Sequence, residues 1–238
     1  MLETVWVVIP TYNEKDNIPR LVRQLRGLSL PRLDILVVDD DSPDHTAAAV
    51  MELQVSDPHV HLIRHTRRMG FGLSYIAGFA YVLARGATVV VHMDADLSHD
   101  AADVPRLVQA LAEADLVIGS RYLTGVSIVN WPLKRLAISL AGNVLARRIT
   151  GLPFYDITGG FRGWRATALK AVAPQTISAE GYGFLVAMLY RAWKKQVRIR
   201  EVPIVFTERS KGHSKMSKRI MFESLLLIIK LRFTRWVA

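Results

Sequence analysis

The chain has 238 residues, half of them hydrophobic, and no cysteine. That is enough apolar material for a sizeable buried core, and the lack of cysteine excludes thiol catalysis, cysteine-ligated zinc and disulfides and fits a reducing compartment. The formal charge of +10 sits at one end, because residues 191–238 carry 13 Lys or Arg against 3 acids while the rest of the chain balances; such a field points to an anionic partner, whether phosphate groups, an acidic membrane surface or nucleic acid.

The N-terminus, MLETVWVVIP, enters a strand-like run at once, with no basic region and no small-residue cleavage site, so no secretion signal is expected. Strand-like runs follow at DILVVDD, VHLIRH, ATVVVHMD and DLVIGS, separated by helix-like stretches near Asn17 to Leu28, His45 to Val55, Phe71 to Ala84 and Ala101 to Ala112. The alternation predicts an α/β fold with a mostly parallel sheet, and the continuous apolar runs predict helices on both of its faces. Asp16 or Asn17, Asp44, and Asp100 or Asp103 stand where they could cap helices. From Asn130 the pattern changes: an apolar and basic helix through WPLKRLAISLAGNVLARRITGLPF, a turn-rich DITGGFRGWR, a helix at GYGFLVAMLYRAWKK, a strand-like VRIREVPIVFTE, then SKGHSKMSKR and a final helix. No apolar run approaches the roughly 20 residues that span a bilayer.

The chemistry-bearing residues lie at the expected strand ends. Strand one ends in Pro10-Thr11-Tyr12-Asn13-Glu14, strand two in Asp39-Asp40-Asp41, and the VVVHM strand in Asp94-Ala95-Asp96. Ligands of open α/β sheets bind in the crevice at the carboxyl ends of the strands, so the three acidic ends should face one crevice. Asp94 and Asp96 suit a hard divalent cation, Mg²⁺ or Mn²⁺, which takes one or two carboxylates plus phosphate oxygens and water. Taken alone, a D-x-D after a strand reads more simply as turn or cap residues; beside two other acidic ends the metal is favoured. His92, inside an apolar run, reads as a packed core histidine. Gly70, Gly72 and Gly78 miss the dinucleotide pattern, and there is no Walker A sequence, G-x-S-x-G elbow or H-E-x-x-H helix.

VVIPTYNEKDNI, VVDDDSPDHT, MDADLSHD, GSRY, DITGGFRGWR, EGYGF and SKGHSKMS, in this order and spacing, resemble the family 2 GT-A glycosyltransferases, and within them the dolichol-phosphate or polyprenyl-phosphate mannosyltransferases. The likeness runs from about Val5 to Ser217. It implies a GT-A fold, Rossmann-like, and transfer of mannose from GDP-mannose to a polyprenyl or dolichyl phosphate. On the matching positions it implies that Pro10, Tyr12 and Glu14 frame the nucleoside, Val38 and Asp40 meet the guanine, and Asp94, Ala95 and Asp96 hold ribose, diphosphate and metal. Ser98 stands where some relatives have Gln as a further metal ligand; its hydroxyl is shorter, and a water could intervene. Arg121 of GSRY and Arg135 would meet the acceptor phosphate, and Arg209 and Lys215 the donor diphosphate, with SKGHSKMS as a lid or, in the simpler reading, a solvated basic loop. Asp96, Arg121, Arg209 and Lys215 are thus the expected catalytic set.

A lipid monophosphate is ionised at neutral pH and attacks without a general base; a single inversion at C1 would give a β-mannosyl phosphate. Such an acceptor stays in the bilayer. Trp131 to Ile149 and the tail from Leu225 to Trp236 mix apolar and basic residues, either as core-facing helices or as interfacial ones on an anionic lipid surface. The expectation is a catalytic domain over residues 1–215 and a basic, amphipathic, membrane-associating helix over 216–238, peripheral on the cytoplasmic face, with firmer anchoring from these helices or from a partner protein. Rival readings are a UDP-glucose enzyme on the same acceptor, a family 2 transferase with another acceptor, or a basic nucleic-acid-binding protein. The last is disfavoured: the tail carries no nucleic-acid module and the acidic crevice would repel a phosphate backbone, so no nucleic-acid partner is expected.

Overall fold

The computed structural model describes residues 3–30, 32–177, 181–208 and 226–232. Five β-strands appear where the apolar runs predict them: β1 (Val5–Thr11), β2 (Leu33–Asp39), β3 (Val60–Arg64), β4 (Val89–His92) and β5 (Leu116–Ser120). Between them run α1 (Ile18–Arg26), α2 (Thr46–Ser56), α3 (Phe71–Ala84) and, after a short 3₁₀ turn, α4 (Val104–Ala110). The second half adds β6 (Ile128–Val129), α5 (Leu133–Thr150), β7 (Arg162–Arg165), α6 (Ala166–Val172), α7 (Gly181–Lys194), β8 (Ile199–Pro203) and β9 (Phe206–Thr207).

The main sheet has seven strands in the order β3-β2-β1-β4-β7-β5-β8, and β6 pairs with β9 in a separate two-stranded ribbon. All pairings in the main sheet are parallel except those of β7, which runs antiparallel to both β4 and β5. Strand alternation sends successive side chains to opposite faces. Trp6 and Val8 of β1 pack with Tyr75 and Phe79 of α3 and Phe184 and Met188 of α7, whereas Val5, Val7 and Ile9 pack with Leu21 and Leu25 of α1 and Leu107 of α4. The sheet is buried on both sides, which is why its strands read as unbroken apolar runs. Helix α3 lies very close to it: a Cβ on Gly78 would come 2.5 Å from Val8 Cγ1 and 3.2 Å from Val38 Cγ2.

Two local expectations are corrected. DITGGFRGWR is not only turns, because its last four residues form β7 in the middle of the sheet, where Arg162 is fully buried and donates to the carbonyls of Ile157, Gly159 and Leu185. The first helix has no side-chain cap: Asn17 uses its amide on Glu14 Oε2 at 2.8 Å. By contrast Asp44 accepts from the Thr46 amide at 3.0 Å, and Asp100 from the Ala102 amide at 2.9 Å, both at helix starts.

The segment from Trp131 is a helix lying on the surface. Of α5 only Asn143, Ala146 and Thr150 are buried, while Leu133 is 83% and Leu145 47% exposed. In the tail, residues 226–232 are helical; Ile228 and Leu231 enter the α3/α7 core, and Leu226 and Ile229 face outward. Among the described residues no helix is long and apolar enough to cross a membrane.

Candidate active site

Since β2, β1 and β4 are neighbours and parallel, their carboxyl ends share one rim, and the three acidic segments lie along it. Tyr12 follows β1, half-buried, with the Arg68 guanidinium 4.1 Å above its ring. Glu14 is buried, its amide donating to Thr46 Oγ1 at 3.0 Å. Pro10 is the next-to-last residue of β1, in register with Val38. Val38 turns its side chain into the core beside Gly78, so only its backbone faces the crevice end, where its carbonyl accepts from Thr11 Oγ1 at 3.4 Å.

Asp40 gathers the loop after β3. One carboxylate oxygen accepts from the Met69 amide at 2.7 Å and faces His65 Nδ1 at 3.0 Å, and the other accepts from the Gly70 amide at 2.9 Å. Burial works to raise its pKa, but these donors outweigh burial and hold it below the usual carboxylate value. Asp39 is likewise structural, accepting from Thr11 Oγ1 and the Ser42 amide.

The turn after β4 is closely determined. The Met93 amide still donates to Val8, but the next amide, that of Asp94, donates to His99 Nδ1 at 3.2 Å. Leu97 is left-handed at φ 62°, and Ser98 returns both its amide and its hydroxyl to Asp96 Oδ1. Ala95 and Asp96 are buried. The backbone preceding β7 abuts this turn: a Cβ on Gly160 would lie 3.4 Å from Asp94 Oδ1. Two hard carboxylates fit Mg²⁺ or Mn²⁺, which keep phosphate and water oxygens in their shell. Asp94 and Asp96 are the carboxylates that would hold such an ion; among the described residues no group of three or more His, Asp or Glu is placed to hold a metal. The Ser98 hydroxyl is already engaged by Asp96.

Arg121, at the end of β5, lies against Asp156 through Nε–Oδ2 at 2.6 Å and Nη2–Oδ1 at 2.8 Å, and reaches Thr158 Oγ1 at 3.0 Å. Burial alone would raise Asp156, but Arg121 and Arg162 together hold it below the ordinary carboxylate value. Arg135 of α5 bonds Glu208 at 2.7 Å and stacks on Trp131. Arg209, Lys215 and the segment 210–217 lie outside the described residues.

Sequence reasoning gave no site role to His99, Asp156 or Gly160. All three are buried and meet the site through contacts between distant elements or across a turn. The motifs themselves were the signal: DITGGFRGWR contains Asp156 and Gly160, and MDADLSHD contains His99. His92 is a core histidine as expected, its ring set edge-on against Tyr75 and Phe79.

A doubly covered, mostly parallel sheet with acidic strand ends converging on a D-x-D turn defines a GT-A type of transferase. Residues 6–173 match Glycosyl transferase family 2, and the chain belongs to that family. It is 45% identical over 232 residues to an undecaprenyl-phosphate mannosyltransferase of Micrococcus luteus, covering 98% of this chain and 93% of that protein. It is 42% identical to a polyprenol monophosphomannose synthase of Mycolicibacterium smegmatis, covering 93% of this chain and 84% of that one. The fold is shared with glucosyl-3-phosphoglycerate synthase of Mycobacterium tuberculosis, crystallised with Mn²⁺, UDP and phosphoglyceric acid; the TM-score is 0.72 at 18% identity, over 98% of this chain and 80% of that one.

Proposed function

We propose that this protein transfers mannose from GDP-mannose to a polyprenyl or dolichyl phosphate, with inversion at C1 and with Mg²⁺ or Mn²⁺. The observation that carries the reading is the near full-length similarity to an undecaprenyl-phosphate mannosyltransferase and a polyprenol monophosphomannose synthase. Tyr12, with Pro10 and Glu14, frames the nucleoside, and Val38 and Asp40 border the base. Asp94 and Asp96 hold the cation, with Ala95 beside the ribose and diphosphate and Ser98 tying Asp96 in place. The bound ion would neutralise charge developing on the departing diphosphate. Arg209 and Lys215 share that task. Arg121 and Arg135 orient the acceptor phosphate, whose ionised oxygen attacks without a protein base.

The exposed apolar side chains of α5, with Leu226 and Ile229, are interleaved with Lys134, Arg135, Arg147, Arg148, Lys230 and Arg232. That pattern supports docking on an anionic lipid surface, with residues 1–215 as the catalytic unit and 216–238 as a membrane-associating helix at the cytoplasmic face. An anchoring partner protein would strengthen the attachment. The test is transfer of radiolabelled sugar by purified protein to a short polyprenyl phosphate with Mg²⁺ or Mn²⁺. Product from GDP-mannose supports the reading; product from UDP-glucose alone overturns the donor assignment.

A further inference from the structure

The amide of Asp94 is the first in the β4 direction that the sheet no longer satisfies, and a side chain takes over from the neighbouring strand. His99 Nδ1 accepts it at 3.2 Å, closing the turn Asp94–His99 with a bond from a ring nitrogen in place of a carbonyl. The ring itself has little room to move. It stacks on Phe161 (centroids 5.1 Å apart, 27° between planes) and meets Phe206 edge-on at 5.1 Å. His99 and Phe206 also form a backbone bridge, and the Thr207 amide donates to the Ser98 carbonyl at 3.1 Å. Within this closed turn Leu97 is held at φ 62°, a left-handed conformation that disfavours a side chain with a Cβ. The turn keeps that geometry because its two ends are fixed: at Asp94 by His99, and at Ser98 by Asp96 and Thr207.

We propose that His99 is a positioning residue for the cation site: by accepting the Asp94 amide from a ring locked between Phe161 and Phe206, it sets the direction in which Asp94 and Asp96 present their carboxylates. The inference rests on the reading that those two carboxylates hold a divalent ion. It assigns a function to a residue that never touches the ion. Groups that orient metal ligands from behind typically contribute about 10- to 100-fold in metal affinity.

The experiment compares three variants of the whole protein by electron paramagnetic resonance titration of Mn²⁺ in the presence of GDP, alongside thermal melting. His99→Phe keeps an aromatic ring between Phe161 and Phe206 but has no acceptor, and is expected to weaken Mn²⁺ binding about 10- to 100-fold. His99→Asn places an amide oxygen near the position of Nδ1 and is expected to restore binding to within a few-fold of the unaltered protein. Asp96→Asn should lose binding outright. If His99→Phe binds Mn²⁺ as tightly as the unaltered protein while Asp96→Asn does not, the positioning role is wrong and the metal reading stands. If folded His99→Asn is as weak as His99→Phe, the acceptor is not what matters and the proposal fails. Retention of Mn²⁺ by Asp96→Asn would overturn the metal reading, and the proposal with it.

Discussion

Arg121 and Asp156 are joined by two parallel hydrogen bonds, of 2.6 and 2.8 Å, in a site where Asp156 has no solvent exposure and Arg121 only 5%. Asp156 additionally accepts from the Arg121 amide at 3.1 Å, so one carboxylate fixes both the backbone and the side chain at the end of β5. Removing one partner of a buried pair leaves the other charge uncompensated, at a cost of about 3–5 kcal/mol. Asp156→Ala should therefore lower the urea midpoint of unfolding by that equivalent. It should also impair transfer more than stability alone explains, measured well below the melting temperature.

Gly78 marks the closest approach of α3 to the sheet. Because an added methyl would lie 2.5 Å from Val8 Cγ1, Gly78→Ala should force α3 outward and destabilise by about 1–3 kcal/mol, read as a lower melting temperature. Helix propensity alone predicts the opposite sign.

Acidification should destabilise the fold well above the carboxylate range. Burial lowers His92 far below its ordinary value, with Arg162 and His99 adding to the effect, and burial lowers His99 to about 4. Both rings are neutral in the native protein near neutrality, whereas the unfolded chain takes up protons near pH 6.5. Below that pH the unfolded state binds more protons than the native state, so stability falls as pH falls, by about 1.4 kcal/mol per pH unit for each ring. For His99 the loss is complete near pH 4. Urea unfolding between pH 7 and 5 should show this slope, and His92→Phe should reduce it by about half.

The Arg68 guanidinium lies 4.1 Å over the ring of Tyr12, the residue that in the proposed function frames the donor's nucleoside. Removing the cation–π contact forfeits about 0.5–1 kcal/mol, so Arg68→Ala should raise KM for the donor about 2- to 5-fold and leave kcat nearly unchanged in steady-state assays.

The outward face of α5 should bind lipid without supporting the fold. Ile138 and Leu145 are 46% and 47% exposed, so the double change Ile138→Glu and Leu145→Glu should leave melting almost unaltered. Co-sedimentation with anionic vesicles should drop about 10-fold or more, since each apolar contact is replaced by a like charge facing an acidic surface.

The first five strands and four helices were legible because each is an apolar run or a period of its own, and the rim follows from parallel topology. Asp94 and Asp96 could be placed from two-residue spacing at a strand end. What could not be read is β7. RGWR has a glycine and two arginines in four residues, and only the surrounding fold makes it a strand, by supplying three carbonyls to a buried Arg162. Asp40 was placed on the rim correctly, but its hold on Met69 and Gly70 lies 29 and 30 residues away, a separation that periodicity does not encode. Whether Trp131–Ile149 faced the core or solvent stayed open for a related reason: alternating apolar and basic residues fit either environment, and only packing decides.

The reversed direction of β7 makes the stretch between α5 and that strand a measuring piece. A strand running the same way as β4 and β5 would start at the far edge of the sheet; this one starts at the rim, so the residues just before it, Asp156 and Gly160, are delivered between two strand exits and serve Arg121 on one side and Asp94 on the other. The number of residues from Gly151 to Phe161 is consequently set by two fittings at once. Lengthening or shortening it by a single residue would misplace the Asp156–Arg121 contact and the Gly160–Asp94 contact together, which makes this short connection a poor place for insertions despite its loop-like composition.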